Sequence, residues 1–505
     1  MVVFPHLVKY HWFIVPIGMI AVVLSIWRLD NYSLWQDEAQ TALISRSVAQ
    51  QGVPLGYDGK NNFGQELGAE YDEQYRWRWQ PWLPFYVLAG FFTICGESTF
   101  VARLPFGLFG AATVVATYFL SFAIWRDRRA ATAASLILAF SVPFLILSRQ
   151  CRYYSPAAFF SVLSLLGYWH VTSGKRFGGA LFVASILLLF HTNFVCVYTL
   201  LPALAVHAVL WNRDRLRVLS ICGALVMIVC FPAVYWFSGA VYFKRYGAIM
   251  FNAEMYWRHL SYFINQLESH VLSIWLLEIP VISLVVHVAR NTHHLCFNSA
   301  LWRGLSCLLL VIAANLVILP LVVPAAFFRY IIMLVPIIAI LVARIAITAA
   351  RWHWTVGVLV VTLTIGRGPL LDYVYEMTHQ FRGPVDGIVA YLRDHARTGD
   401  VVGITYEDLP IKFYTQLRVI GGFTGEDLSP STNADWIILR HHHVDPGKEA
   451  PVRAFLSQQL RSGRFERIIL DYPDTKWQNR EDPAEHLFRT AVGEQPVILW
   501  RRTNK

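Results

Sequence analysis

Long apolar runs punctuated by short polar clusters make up the first three quarters of this chain. Runs of about 17–25 residues are long enough to cross a bilayer as helix, and they recur at residues 12–27, 103–124, 130–147, 194–211, 219–237, 271–288, 305–323 and 329–346, with shorter ones at 155–169, 177–190 and 356–365. Residues 81–94 are apolar but short and contain Pro84, so a shallow or juxtamembrane helix is expected there. A polar loop fills residues 30–80, and residues 38–48 within it can form a helix lying on the membrane surface. The pattern changes near Leu371 to that of a soluble domain. Residues 384–395 and 452–460 read as amphipathic helices, and 400–405, 434–439, 467–470 and 497–500 as strands, which predicts a small α/β domain. The fold class is thus a polytopic α-helical membrane protein with about 11–12 transmembrane helices over residues 1–370 and a C-terminal α/β domain over 371–505.

Composition agrees. The chain is 56% hydrophobic and 15% charged, a combination rare in soluble domains. Its formal net charge of +10 would suit nucleic acid, yet the basic residues fall in short clusters between apolar runs. The clusters Arg126–Arg129, Lys175–Arg176 and Arg213–Arg217 all fall on one side of the membrane when residues 81–94 do not cross, as the positive-inside rule requires of cytoplasmic loops. No polynucleotide partner is needed. The two sizeable loops, 30–80 and 238–270, and the C-terminal domain then face outward. Seven cysteines are scattered without metal-ligand spacing and read as small buried hydrophobes. The first apolar run has no clear cleavage site after it and is expected to stay as a signal anchor.

This topology gathers ionisable residues on the outer face. Asp37 and Glu38 follow the first apolar run directly, where acids are costly unless solvated, paired or used. The plain alternative is that they open an interfacial helix, whose dipole favours acids. The same face receives Arg78, Gln80, Arg149, Arg152, Tyr153, His191, Lys244, Arg245, Arg329 and Tyr330. A positioned carboxylate can take a proton from a hydroxyl, and guanidinium forks suit a phosphate and the charge that grows on it. Each cation also has a plain reading: Arg149 and Arg152 as snorkelling anchors, Arg329 and Tyr330 in an aromatic belt, His191 as an interfacial hydrogen-bonding residue, Lys244 and Arg245 as solvated loop surface. The run His441–His443 reads as a solvated turn.

Leu34-Trp-Gln-Asp37-Glu38, Ile44-Ser-Arg46, Trp79-Gln80-Pro81, Gly96-Glu-Ser with Ala102-Arg-Leu-Pro105, Trp125-Arg-Asp-Arg-Arg129, Ser148-Arg149 with Arg152-Tyr153, and Phe328-Arg329-Tyr330 follow one another in an order that resembles the GT-C superfamily of integral-membrane glycosyltransferases. The similarity is to the branch holding protein O-mannosyltransferase-like and aminoarabinose-transferase-like enzymes. It implies a GT-C fold and an inverting transfer of a sugar from a polyprenyl-phosphate donor to a lipid, glycan or protein acceptor at the outer face of the inner (plasma) membrane. It also implies Asp37 as general base, Arg329 as phosphate ligand, and Arg149 and Arg152 as cavity residues. Glu38 binds a divalent ion in some relatives and no metal in many, so no metal is assigned. Gln80 and Ser155 depart from the lysine and aspartate of the aminoarabinose enzymes, which argues against that sugar. A transporter or flippase of lipid-linked saccharides is the competing class. It would carry polar residues near the bilayer midplane, and few lie there in this chain.

Overall fold

The computed structural model describes residues 12–238, 252–272, 276, 278, 300–366, 370–476 and 494–503. Lys244 and Arg245 lie outside the described residues, as does most of the span expected at 271–288. The helices in order are α1 (Ile14–Ile26), α2 (Gln36–Gln51), α3 (Leu83–Cys95), α4 (Thr99–Trp125), α5 (Arg128–Ala139), α6 (Val142–Ser148), α7 (Tyr154–Thr172) and α8 (Gly178–Thr192). They continue with α9 (Phe194–Trp211), α10 (Leu216–Ser238), α11 (Ala253–His270), α12 (Ala300–Val322), α13 (Leu334–Ala349), α14 (Trp354–Ile365) and α15 (Leu370–Thr378).

Among the described residues, four helices are long and apolar enough to cross a membrane, or up to six if each of two bent pairs is one span. α1, α3, α8 and α13 are apolar but shorter. The 13 residues of α3 extend only about 20 Å, short of a hydrocarbon core of roughly 30 Å. α4 carries Ser98 as its N-cap, whose hydroxyl accepts from the Val101 amide, and runs 27 residues. That is about 40 Å of helix. Small residues let neighbours close up: a Cβ on Gly167 of α7 would sit 2.6 Å from the Phe182 backbone nitrogen of α8.

α5 and α6 form one of the bent pairs, with a 62° change of direction and Pro143 in the first turn after the break. Just past the bent pair, Cys151 and Arg152 bond to Glu38, Asp37 and Thr41 of α2. α2 itself begins where Glu38 reaches back to the Trp35 amide at 3.3 Å and ends at Gly52, whose φ of 76° is the left-handed turn that closes helices.

The C-terminal domain holds α16 (Pro384–His395), β1 (Val401–Ile404), α17 (Asp408–Thr415), β2 (Arg418–Gly421), β3 (Trp436–Ile438), α18 (Pro446–Ser462), β4 (Phe465–Pro473) and β5 (Pro496–Arg502). Its sheet order is β2-β1-β3-β5-β4, parallel across β2-β1-β3 and antiparallel across β3-β5-β4. In register, Val402 faces Val419 on one side and Trp436 on the other. β2 and α17 were not among the sequence expectations, because Arg418–Gly421 is only four residues long and ends in glycine. α17 is the piece that matters for the site. Its Leu409 and Phe413 join Leu34, Ala39, Leu43 and Phe92 in one buried cluster, so the soluble domain packs directly on α2.

Candidate active site

A cavity of about 440 Å³ opens where α2, the 30–80 loop, the residues after α6, the α8–α9 turn and the chain after α12 meet. Asp37 enters it from the first turn of α2, with 16% of its side chain exposed. One of its oxygens, Oδ2, faces Arg152 at 3.3 Å and Arg329 at 3.4 Å. The other, Oδ1, accepts from the Gln65 side-chain amide at 3.1 Å. Arg152 also donates to the Asp37 carbonyl and the Thr41 hydroxyl, each at 3.0 Å. Burial by itself would raise the Asp37 pKa. The charges of Arg152 and Arg329, the Gln65 hydrogen bond and the charge of Lys448 outweigh it, so the carboxyl is held below its ordinary range. It is an anion at neutral pH. Arg152 is in turn held charged: burial opposes its charge, but Asp37 with Tyr154 and Tyr153 together outweigh it.

Of the residues expected at the site, Asp37, Gln80, Arg152, Tyr153, Arg329 and Tyr330 line this cavity. Three expected site residues make their contacts away from the cavity. Glu38 is fully buried, and its carboxylate binds Arg103 at 2.5 Å and the Cys151 amide at 2.7 Å, contacts that suit a structural anchor. Arg149 turns away and donates to the carbonyls of Leu24 at 2.8 Å and Trp27 at 2.7 Å, satisfying the C-terminal end of α1. Arg78 donates to the Trp236 carbonyl at 3.0 Å and lies over the Trp236 ring, tying the first loop to α10. His191, at the end of α8, packs edge-on against Phe190, while its neighbours Thr192 and Asn193 line the cavity.

The cavity contains groups that sequence reading did not assign to it. Gln65, Glu66 and Glu70 come from the first loop, and Asp445 and Lys448 from the start of α18 in the soluble domain. Lys448 Nζ lies 2.9 Å from Glu66 and 3.4 Å from Asp445. The Glu70 carboxyl accepts from the amides of Gln65 and Glu66 at 2.5 and 2.9 Å, and its other oxygen is buried without a hydrogen-bond partner. Burial pushes its pKa up to about 7; those amides pull it down and the Glu66 charge pushes it up. The acids of loop 30–80 were a visible signal. Nothing in the spacing marked Lys448. Among the described residues no group of three or more His, Cys, Asp or Glu side chains is placed to hold a metal. Both Asp37 oxygens face donors, a poor setting for a cation.

Helices alternate between this cavity and the basic loops. α7 leaves the site at Tyr154 and ends just before Lys175–Arg176; α8 returns to Thr192, and α9 departs toward Arg213. The crystal structure of ArnT from Cupriavidus metallidurans bound to undecaprenyl phosphate superposes with a TM-score of 0.56, covering 98% of each chain at 14% identity. The chain has the GT-C fold. AglB, an archaeal oligosaccharyltransferase from Archaeoglobus fulgidus solved with an inhibitory peptide and a dolichol-phosphate, shares this GT-C architecture at a TM-score of 0.53 and 10% identity, over 93% of this chain and 75% of that one. In sequence, the chain is similar to the undecaprenyl phosphate-alpha-4-amino-4-deoxy-L-arabinose arabinosyl transferase of Pseudomonas aeruginosa, with 29% identity over 217 residues. That match takes in 40% of this chain and 36% of the relative, so the chain spans about a third of the length of the curated relative it matches. No family model matches the sequence.

Proposed function

We propose that this membrane protein is an inverting glycosyltransferase that moves a sugar from a polyprenyl-phosphate carrier to an acceptor hydroxyl. The observation that carries the reading is one carboxylate, Asp37, set between Arg152 and Arg329 in a cavity at one end of an apolar bundle. Asp37 takes the proton of the acceptor hydroxyl. The acceptor oxygen forms its bond to the anomeric carbon from the side opposite the carrier. The carbon–oxygen bond to phosphate breaks with its electron pair going to the phosphate, and Arg152 and Arg329 hold the charge that accumulates there. The same two guanidiniums hold Asp37 as a weak base while no phosphate is present. A bound phosphate competes for them, and releasing Asp37 raises its basicity where the acceptor sits.

Both ArnT and AglB have been solved with polyprenyl phosphates, which supports a lipid-linked donor. Gln80 lies in the cavity, whereas Ser155 donates to the Phe106 carbonyl at 2.7 Å inside the bundle, so the departure at position 80 is the one that faces substrate. We read the sugar as other than aminoarabinose, and the acceptor as a lipid, glycan or protein hydroxyl. The basic loops at the far end of α4, α7 and α9 support a cytoplasmic placement for that end and an extracytoplasmic one for the cavity, the C-terminal domain and the acceptor, at the inner (plasma) membrane. No observation favours a transporter.

The test is incubation of the purified full chain with a panel of polyprenyl-phosphate sugars and candidate acceptors, following carrier release by mass spectrometry. Wild type releases the carrier from at least one donor, and Asp37→Asn releases none while still binding undecaprenyl phosphate. Full turnover by Asp37→Asn overturns the assignment.

A further inference from the structure

Gln65 is the residue that touches Asp37 from the side opposite the arginines, and its own placement depends on the soluble domain. Its backbone amide donates to Glu70, and its carbonyl accepts from Lys448 Nζ at 3.2 Å. Two residues on, the Leu67 amide donates to the Phe423 carbonyl at 3.1 Å. A Cβ on Gly425 would come within 2.7 Å of the Leu67 Cα, so the two segments touch backbone to backbone. Lys448 lies over the Phe423 ring at 5.3 Å, closing the seam from the cavity side. On the other flank of Asp37, the Gln36 side chain donates to Asp408 of α17 at 2.8 Å, and the Leu409 amide donates back to the Gln36 side-chain oxygen at 3.4 Å.

We propose that the C-terminal domain positions the Asp37 carboxylate, with Lys448 fixing the Gln65 backbone so that the Gln65 amide aims Asp37 Oδ1 into the cavity. This rests on the reading of Asp37 as the base. Lys448 is a positioning residue that acts through Gln65, while Gln65 donates to the Asp37 carboxylate itself. Two carboxylates and a carbonyl already surround the Lys448 ammonium, which suits a strap better than a phosphate ligand. A carboxylate that must meet an acceptor hydroxyl in line with a departing phosphate tolerates little misplacement, and a loss of alignment of about 1 Å costs roughly 10²-fold.

The experiment compares Lys448→Met, Gln65→Leu and the double variant with wild type, in the full chain in detergent. Hydrogen exchange is read by peptide mass spectrometry over residues 36–48 and 63–78, and undecaprenyl phosphate binding by titration. Lys448→Met should speed exchange in both segments, leave the long membrane helices unchanged and leave carrier affinity unchanged. In the transfer assay, kcat falls about 10- to 100-fold with KM for donor retained, and the double variant is no worse than Gln65→Leu alone. Lys448→Arg, which keeps the charge beside Glu66, restores exchange protection and most of kcat. The acidic limb of the pH–rate profile moves to higher pH in Gln65→Leu, because Asp37 keeps Arg152 and Arg329 but loses a donor, among the cavity acids Glu66, Glu70 and Asp445. Unchanged exchange in both segments, or weakened carrier binding with kcat intact, overturns the strap. A wild type that releases carrier from no donor overturns the transferase reading instead, and the exchange measurement still decides the strap.

Discussion

Asp37 and Arg329 are 292 positions apart in sequence, and their side chains meet at 3.4 Å. A half-buried guanidinium so close to a carboxylate favours the ionised acid and spends binding capacity that a phosphate would otherwise take. Arg329→Ala should therefore have two signatures. Carrier affinity falls by about 10- to 100-fold, the worth of a charge-assisted hydrogen bond of roughly 1.5–3 kcal/mol. The acidic limb of the pH–rate profile also moves up: with one cation gone, Asp37 is protonated over a wider acid range, so activity at pH 5 drops more than at pH 7.5. Titration with undecaprenyl phosphate and a pH–rate series check the two separately. A limb that stays in place would show that Arg329 does not set the state of Asp37.

Glu38, next to the proposed base, predicts the opposite kind of phenotype. Its ion pair with Arg103 is buried on both sides, at 0% and 1% side-chain exposure. Arg103 also donates to the carbonyls of Leu29 at 2.7 Å and Tyr32 at 2.9 Å, which joins α4 to the chain leaving α1. Removing one partner strands the other charge, at a cost of roughly 3–5 kcal/mol. Glu38→Ala should lower the thermal midpoint in detergent by several degrees, and Glu38→Leu with Arg103→Met should recover part of the loss. A Glu38→Ala protein with wild-type stability would return Glu38 to the list of catalytic candidates.

These two neighbours show how far the sequence could be read. Hydrophobic spacing located the apolar helices, the short α3 and the alternating soluble domain, because burial against lipid or core leaves a periodic trace. Among the described residues, however, only four to six of the expected 11–12 spans are long enough to cross. An acid placed just after an apolar run pointed to a helix turn that lines the cavity. It could not tell Asp37 from Glu38, since a 100° step around α2 decides which carboxylate faces the cavity and which faces Arg103. Arg149 and Arg152 differ in the same way: three positions apart, one serves the carbonyls of α1 and the other the cavity. Lys448 left no trace at all, because its role comes from how the soluble domain docks, and docking has no period.

Glu70 should make stability depend on pH. Its burial raises the pKa from 4.5 to about 7, so between those values the folded state binds more protons than the unfolded one. Stability contributed by the neutral acid is complete below about pH 4.5 and declines as pH rises through 7, by about 3 kcal/mol in all. Glu70→Gln keeps an acceptor for the Gln65 and Glu66 amides and carries no charge. Its thermal midpoint should match wild type near pH 5 and exceed it near pH 8. Parallel midpoints across that range would mean that Glu70 is ionised in the fold.

The seam between the soluble domain and α2 rests on another charge pair without solvent contact, Lys412 and Asp408, 2.6 Å apart at 0% exposure each. Lys412 also donates to the Asn62 carbonyl at 2.7 Å, and Asp408 accepts from Gln36 at 2.8 Å, so the pair bridges α17, the first loop and α2. Gly422, at φ of 61°, leaves room for that carboxylate: a Cβ there would stand 2.0 Å from Asp408 Oδ1. Lys412→Met leaves Asp408 charged in a dry seam, and the expected loss is about 3–5 kcal/mol. Lys412→Met with Asp408→Asn should recover much of it, since asparagine still accepts from Gln36 without a charge to solvate. Gly422→Ala should reproduce the single-site loss by displacing the carboxylate while leaving every charge present. Thermal midpoints of the three variants separate the explanations. If Gly422→Ala is harmless while Lys412→Met is not, the pair matters for its charge balance alone and not for holding Asp408 against Gln36.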